Sequence, residues 1–167
     1  MVTVASGGDP GRWVLLAYRM PREPSRPRIA VWRKLERLGV ARLGDGLVAL
    51  PADARTREQF DWIAEEVVEA QGTATVWLAA PSTLAQEQQI AAAMRAARAA
   101  EYQMVIDEAA AARNGTEPER ARVVRRLRSE LHRIGRRDFF PPRERGAARD
   151  AVQALAEFTG DVLTEQP

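Results

Sequence analysis

The sequence predicts an α+β fold, a small antiparallel sheet carrying helices and then a wholly helical half of about three helices. Three observations predict it. Between residues 12 and 80, short β-rich apolar runs alternate with stretches of helical periodicity. From 81 to 167 the composition shifts to Ala, Arg, Glu and Gln, and only the helical period remains. Stop and turn residues fall at the joints: Gly39, Gly44-Asp45-Gly46, Gly72 and Asn114-Gly115.

The elements follow in order. Residues 1–11 are Gly-rich and aperiodic, which predicts a disordered lead-in. Trp13-Val14-Leu15-Leu16-Ala17-Tyr18 is a nearly continuous apolar run before Pro21 and Pro24, and it predicts a buried strand. Ser25-Arg26-Pro27 predicts a helix start, because a Ser hydroxyl can accept from a free first-turn N–H and Pro wastes no donor there. Val31, Leu35 and Leu38 form that helix's apolar face with Trp32 beside them, and Arg26, Arg33 and Arg37 form an outward stripe. Gly39 ends it. Residues 40–43 and 47–50 flank Gly44-Asp45-Gly46 as a hairpin.

Thr56 is the expected N-cap of a second helix to about Gln71, with Phe60, Ile63, Ala64, Val67 and Val68 inside and Glu65, Glu66 and Glu69 solvated. Gly72 is expected to stop it, and residues 73–78 alternate as a strand. The order β-α-β-β-α-β over residues 12–80 is that of the ferredoxin-like fold. After Pro81, Ser82 or Thr83 can cap a long helix to about Arg113 with an apolar stripe through Leu84, Ile90, Met94, Tyr102, Val105 and Ile106. Thr116, Pro118 and the acidic first turn predict a further helix start, and Val123, Val124, Leu127, Leu131 and Ile134 its inner face. Asp138-Phe139-Phe140-Pro141-Pro142 reads as a rigid aromatic anchor. A last helix over about Glu144–Leu163 is expected to bury Ala148, Val152, Leu155, Phe158 and Val162. Trp13, Trp32, Trp62 and Trp77 all sit at expected core positions.

Composition excludes several chemistries. With no cysteine there is no disulfide, thiolate metal site or thiol redox centre, and a single histidine, His132, removes histidine metal clusters. No apolar run approaches the roughly 20 residues of a membrane span, and no export signal opens the chain, so a cytoplasmic location is expected. No nucleophile is paired with a base and no Gly-rich phosphate loop is present, so the chain reads as no enzyme, with no catalytic residue, metal ligand or cofactor.

Charge is nearly balanced in total, at +2, yet blocky in distribution. Residues 12–57 hold 11 basic and 4 acidic side chains, 58–119 hold 3 and 11, and 120–149 hold 11 and 3. Such blocks either build a local positive field or neutralise one another between neighbouring helices. The first block concentrates Arg19, Arg22, Arg28, Arg33 and Lys34 around a strand-to-helix turn, with Arg26 and Arg37 further out. Free helix N–H groups and forked guanidinium donors suit a tetrahedral oxyanion or a phosphate. Arg28 has the helical angle of the buried side and is expected to need a partner, with Asp45 and Glu66 the carboxylates in view. In the second block Arg122, Arg125, Arg126 and Arg133 ring a helix that can cross a phosphate backbone or pack on the acidic helix before it.

The motif running from Trp13-Val14-Leu15-Leu16 through Tyr18-Arg19-Met20-Pro21 to Glu23-Pro24-Ser25 resembles the N-terminal domain of the bacterial chromate-resistance protein ChrB. Pro27-Arg28, Val31-Trp32-Arg33-Lys34-Leu35, Leu38-Gly39, Leu50-Pro51 and Arg137-Asp138-Phe139-Phe140 fit the same family, and the resemblance covers most of residues 13–158. It implies chromate-responsive control of an efflux operon, hence DNA and chromate or another oxyanion as partners. Full-length members carry a further C-terminal domain, which lies outside this sequence. The β-α-β-β core is more loosely similar to the central domain of PaaX-type repressors and to the small dimeric ferredoxin-like subunit of CRISPR spacer acquisition, and those relatives imply a homodimer. Where their nuclease members carry Tyr-Asp, this chain has Tyr18-Arg19, and a guanidinium cannot ligate a hard divalent ion. A metal-dependent nuclease is therefore the least favoured reading, behind a regulator and a non-enzymatic interaction module.

Overall fold

The computed structural model describes residues 11–161, with side chains through Phe158. Residues 1–10 of the expected lead-in over 1–11, and Val162, lie outside the described residues, while Gly11 is ordered by its N–H bond to Glu87. The elements are β1 (Trp13–Arg19), α1 (Ser25–Leu38), β2 (Ala41–Gly44), β3 (Leu47–Pro51), α2 (Ala54–Glu69), β4 (Thr73–Ala79), α3 (Leu84–Ala112), α4 (Glu117–Gly135) and α5 (Glu144–Asp161). They form two compact units that divide between Met94 and Arg95.

The first unit is built on a four-stranded sheet of order β2-β3-β1-β4, every neighbouring pair antiparallel. Val14 pairs with Leu50 and Leu16 with Val48, and all four are buried. Strand alternation puts these rows on one face, and α2 packs on β1 and β4 while α1 packs on α2. Val31 and Leu35 of α1 and Phe60, Ile63 and Val67 of α2 are the buried helical residues, one stripe on each helix. The alternate rows, through Trp13, Leu15 and Ala49, turn toward the start of α3, where the Trp13 indole N–H donates to Glu87 Oε1 at 3.0 Å. Glu87 is buried and also accepts from the Gly11 N–H at 2.8 Å.

Several expectations are corrected by this packing. The N-cap of α1 is Pro24, and Ser25 is already the first helical residue, so its hydroxyl makes no cap bond. The N-cap of α2 is Asp53, whose carboxylate accepts from the Thr56 N–H at 2.7 Å. Thr56 is the third helical residue, fully buried, with its hydroxyl accepting from the Asp53 N–H and donating to the Pro51 carbonyl at 2.7 Å. Gln71, not Gly72, takes the left-handed conformation after α2, with φ 64°. Gly72 answers a different need, since a Cβ there would stand 2.5 Å from the Arg19 carbonyl oxygen.

Three of the four tryptophans are not core. Trp13 is buried, but Trp62 is 57% exposed, Trp77 56% and Trp32 47%. Trp77 lies on the edge strand β4, opposite Leu15 and away from the Val14 face, and Trp32 and Trp62 sit one residue off the buried stripes of their helices. Val68 on α2 is likewise exposed.

A Thr56→Val substitution is expected to cost on the order of 2 kcal/mol, because it keeps the shape but strands the Pro51 carbonyl and the Asp53 N–H. Urea unfolding with an unchanged denaturant slope is the check.

In the second unit the later part of α3 joins α4 and α5 around Tyr102, Val105, Val124, Leu127, Ile134, Val152 and Leu155. At the start of α4 the Thr116 N–H and hydroxyl both donate to Glu119 Oε2, at 2.7 and 2.8 Å. These bonds hold the Glu119 carboxyl below its ordinary range. Phe140 is buried, as the aromatic anchor predicts, but Phe158 is half exposed, with the Arg120 guanidinium 4.9 Å over its ring. Arg120 itself is buried and donates to the Gly115 carbonyl at 2.5 Å.

The connection between α4 and α5 also carries a buried carboxylate. The Asp138 side chain is 0% exposed, Oδ2 accepts from the Tyr102 hydroxyl at 2.9 Å, and Arg145 stands 3.8 Å away. Beside it Arg137 and Arg98 both pair with Glu101, at 2.5 and 2.9 Å.

Candidate anion-binding site

The first unit gathers its functional candidates where β1 ends. The Tyr18 N–H donates to the Gly46 carbonyl at 2.8 Å, which ties the last turn of β1 to the β2-β3 hairpin. Gly46 has φ 71°, a conformation that favours glycine, and the turn it completes presents Asp45. The start of α1 closes the third side. Arg28 and Trp32 are four residues apart and so share one helical face, with Ile29 beside them.

These elements enclose a pocket of about 510 Å³, lined among others by Tyr18, Arg19, Arg28, Ile29, Trp32 and Asp45. A second cavity of about 180 Å³ adjoins it, with Leu35, Arg42 and Val48 in its wall. The Arg42 guanidinium lies 5.8 Å over the Trp32 ring and its Nη2 donates to Glu36 at 2.5 Å. Glu36, Arg42 and Trp32 thus form a chain of one exposed ion pair and one cation–π contact at the pocket. Burial raises the Tyr18 hydroxyl above the ordinary phenol range, and Arg42 partly offsets this.

Of the five residues expected to hold an anion, the fold brings two together in this pocket, Arg19 and Arg28. Both are exposed, and neither is held in an ion pair among the described residues. Arg28 therefore corrects the expectation that it lies buried against a carboxylate. Its angle on α1 points into the open pocket because β1 stops short of it. The carboxylate Glu66 is taken instead by Lys34, which is half buried and bridges α1 to α2. Arg22 and Arg33 are exposed but do not line the pocket.

The residues expected to meet DNA divide between the two units. Arg26 and Arg37 are exposed on α1, and Arg122, Arg125, Arg126 and Arg133 are exposed on α4. Arg126 is paired with Glu108 of α3 and Arg133 with Glu130 one turn before it. Neutralisation by the acidic helix thus reaches Arg126, through two guanidinium nitrogens.

Arg42 and Glu36 carry a role that sequence reasoning missed. The signal was present: Arg42 pairs with Val48 in the hairpin register and so turns to the same side as the α1 residues above it. Among the described residues no group of three or more His, Asp or Glu could hold a metal ion. Among them, too, no helix is long and apolar enough to cross a membrane.

Comparison with known proteins adds three findings. The family model described as Protein ChrB, N-terminal, matches residues 28–166, a span that takes in Arg28, Trp32, Asp45 and the whole described helical unit. No curated protein matches the chain. Among solved structures, the uncharacterized protein Rv0674 from Mycobacterium tuberculosis is similar in fold, with a TM-score of 0.53 at 17% sequence identity. The match covers 90% of this chain and 63% of that one, so the chain spans less than two thirds of that protein's length.

Proposed function

The chain belongs to the ChrB chromate-resistance family, and on that premise we propose that it is a chromate- or oxyanion-responsive regulator acting on DNA, without catalysis. The observation that carries the reading is the convergence of Arg19 and Arg28, exposed and outside any ion pair among the described residues, on one pocket. Guanidinium forks match the paired oxygens of a tetrahedral anion, and a wall of protein on three sides strengthens that attraction relative to open water. Arg22 and Arg33 contribute background positive charge rather than direct ligands, and Lys34 is neutralised by Glu66.

The strand order β2-β3-β1-β4 with antiparallel neighbours supports a ferredoxin-like topology for the first unit. Exposed Arg122 and Arg125 on α4, with Arg26 and Arg37 on α1, support contact with a phosphate backbone. The protein works in the cytoplasm as a homodimer on this reading, by analogy with the looser relatives of its sheet domain.

The test is binding of the full chain to the duplex upstream of its own coding sequence, with and without chromate, at two salt concentrations. Specific binding that weakens steeply with salt and is released by chromate is the expected result. Replacing Arg122 and Arg125 by alanine should lower the slope of log K against log salt by about one per lost phosphate contact. Binding that ignores both chromate and Arg19→Ala/Arg28→Ala would remove the regulatory reading.

A further inference from the structure

We infer that the pocket between β1, α1 and the hairpin takes a nucleotide unit, its base against Trp32 and its phosphate on Arg19 and Arg28. The inference rests on the reading of this pocket as an anion site and adds what lies beside the anion. The pocket is larger than a bare anion needs. A bare tetrahedral oxyanion displaces on the order of two to three waters of about 30 Å³ each, whereas this pocket is about 510 Å³, within the range of sites for organic ligands.

The second argument is the wall next to the charge. Trp32 and Ile29 are 47% and 43% exposed, an unfavourable exposure of apolar surface directly beside two guanidiniums. A bare oxyanion leaves that surface wet, but a heteroaromatic ring covers it. The indole already takes a cation–π contact from Arg42, which pairs with Glu36. An indole has only two side-chain torsions to order, so it loses little freedom when a base stacks on it.

Asp45 supplies the third. Its carboxylate lines the same pocket and has no hydrogen-bond donor to accept from in a bare deprotonated oxyanion. Toward a nucleotide it has a use, because a carboxylate accepts from a base amino group or a sugar hydroxyl. Cation, ring and acceptor in one pocket match phosphate, base and N–H or O–H donors in one ligand. A free mononucleotide and a nucleotide within a single strand offer the same chemistry.

Titration calorimetry of the full chain decides it, with AMP, adenosine, inorganic phosphate, chromate and a short oligodeoxyadenylate as ligands. AMP should bind more tightly than either phosphate or adenosine, and chromate should displace it. Trp32→Ala, a change at an exposed ring, should weaken AMP about tenfold or more while phosphate binding stays constant, and Trp32→Phe should restore most of the loss. Arg28→Ala should weaken AMP and phosphate alike. An oligonucleotide tighter than AMP would identify the strand as the source, and one no tighter would identify the free nucleotide. Chromate and phosphate binding with no gain for AMP, or AMP binding indifferent to Trp32→Ala, would overturn the inference and leave the anion site standing. AMP binding that neither chromate nor phosphate displaces would instead remove chromate as the effector.

Discussion

Alanine at Asp138 is expected to cost the helical unit about 2–4 kcal/mol, from a buried hydrogen bond lost and a half-buried ion pair broken. The Asp138 carboxylate is wholly buried and accepts from the Tyr102 hydroxyl, and Arg145 stands within salt-bridge reach. Removing it leaves the buried Tyr102 phenol without its acceptor and the Arg145 guanidinium, one third exposed, without its counter-charge. Arg145 Nε is already without a hydrogen-bond partner, so no spare contact absorbs the loss. Urea unfolding followed by circular dichroism reads the effect, and Asp138→Asn should recover part of it by restoring an acceptor.

The same contact makes the unit sensitive to alkali. Burial, then the hydrogen bond and the negative charge of Asp138, push the Tyr102 pKa up to about 12, against an ordinary 10.0. The folded state therefore keeps a proton that the unfolded chain has lost between these two values. Stability from this group is complete below about pH 10 and falls as pH rises toward about 12. Tyr102→Phe should abolish that component of the alkaline loss, which thermal melts across this range would register.

The second large effect is expected at Gly46. Alanine there meets two obstacles at once: a left-handed φ of 71°, and a Cβ that would stand 2.2 Å from the Tyr18 carbonyl oxygen. Backbone atoms on both sides leave no flexible side chain to yield, so the hairpin must move off β1. The expected cost is on the order of 2–4 kcal/mol, together with weaker anion binding, because the end of β1 that carries Arg19 loses its tie to the hairpin. Gly44→Ala is the control. A Cβ at Gly44 meets nothing within 4 Å, and that variant should bind and melt like the parent.

Legibility in the sequence tracked the range of the interaction. The strands at Trp13–Arg19 and Thr73–Ala79 and the buried stripes of α1 and α2 follow from local periodicity, which tertiary packing then obeyed. Cap identity depended on a finer distinction. Asp53 and Thr56 are both good cap residues three apart, and only the loop geometry after Pro51 decides which stands outside the helix. The tryptophans misled because hydropathy patterns score an indole as apolar wherever it falls, while a ring one step off the stripe is left outside. Arg28 misled for the same reason in reverse, since its angle on α1 does lead inward, but to a pocket beyond the end of the sheet. Glu87 and Asp138 were unreadable. Their partners, Trp13 and Tyr102, lie 74 and 36 residues away, and no local spacing announces such pairs.

Thermal melting against chromate and phosphate concentration shows whether Arg19 and Arg28 make an anion site at the end of β1. A ligand of the native state must raise the midpoint progressively by mass action, and that rise is expected in the parent chain and absent in Arg19→Ala/Arg28→Ala. A midpoint that stays constant in the parent, or rises equally in the double variant, would contradict it.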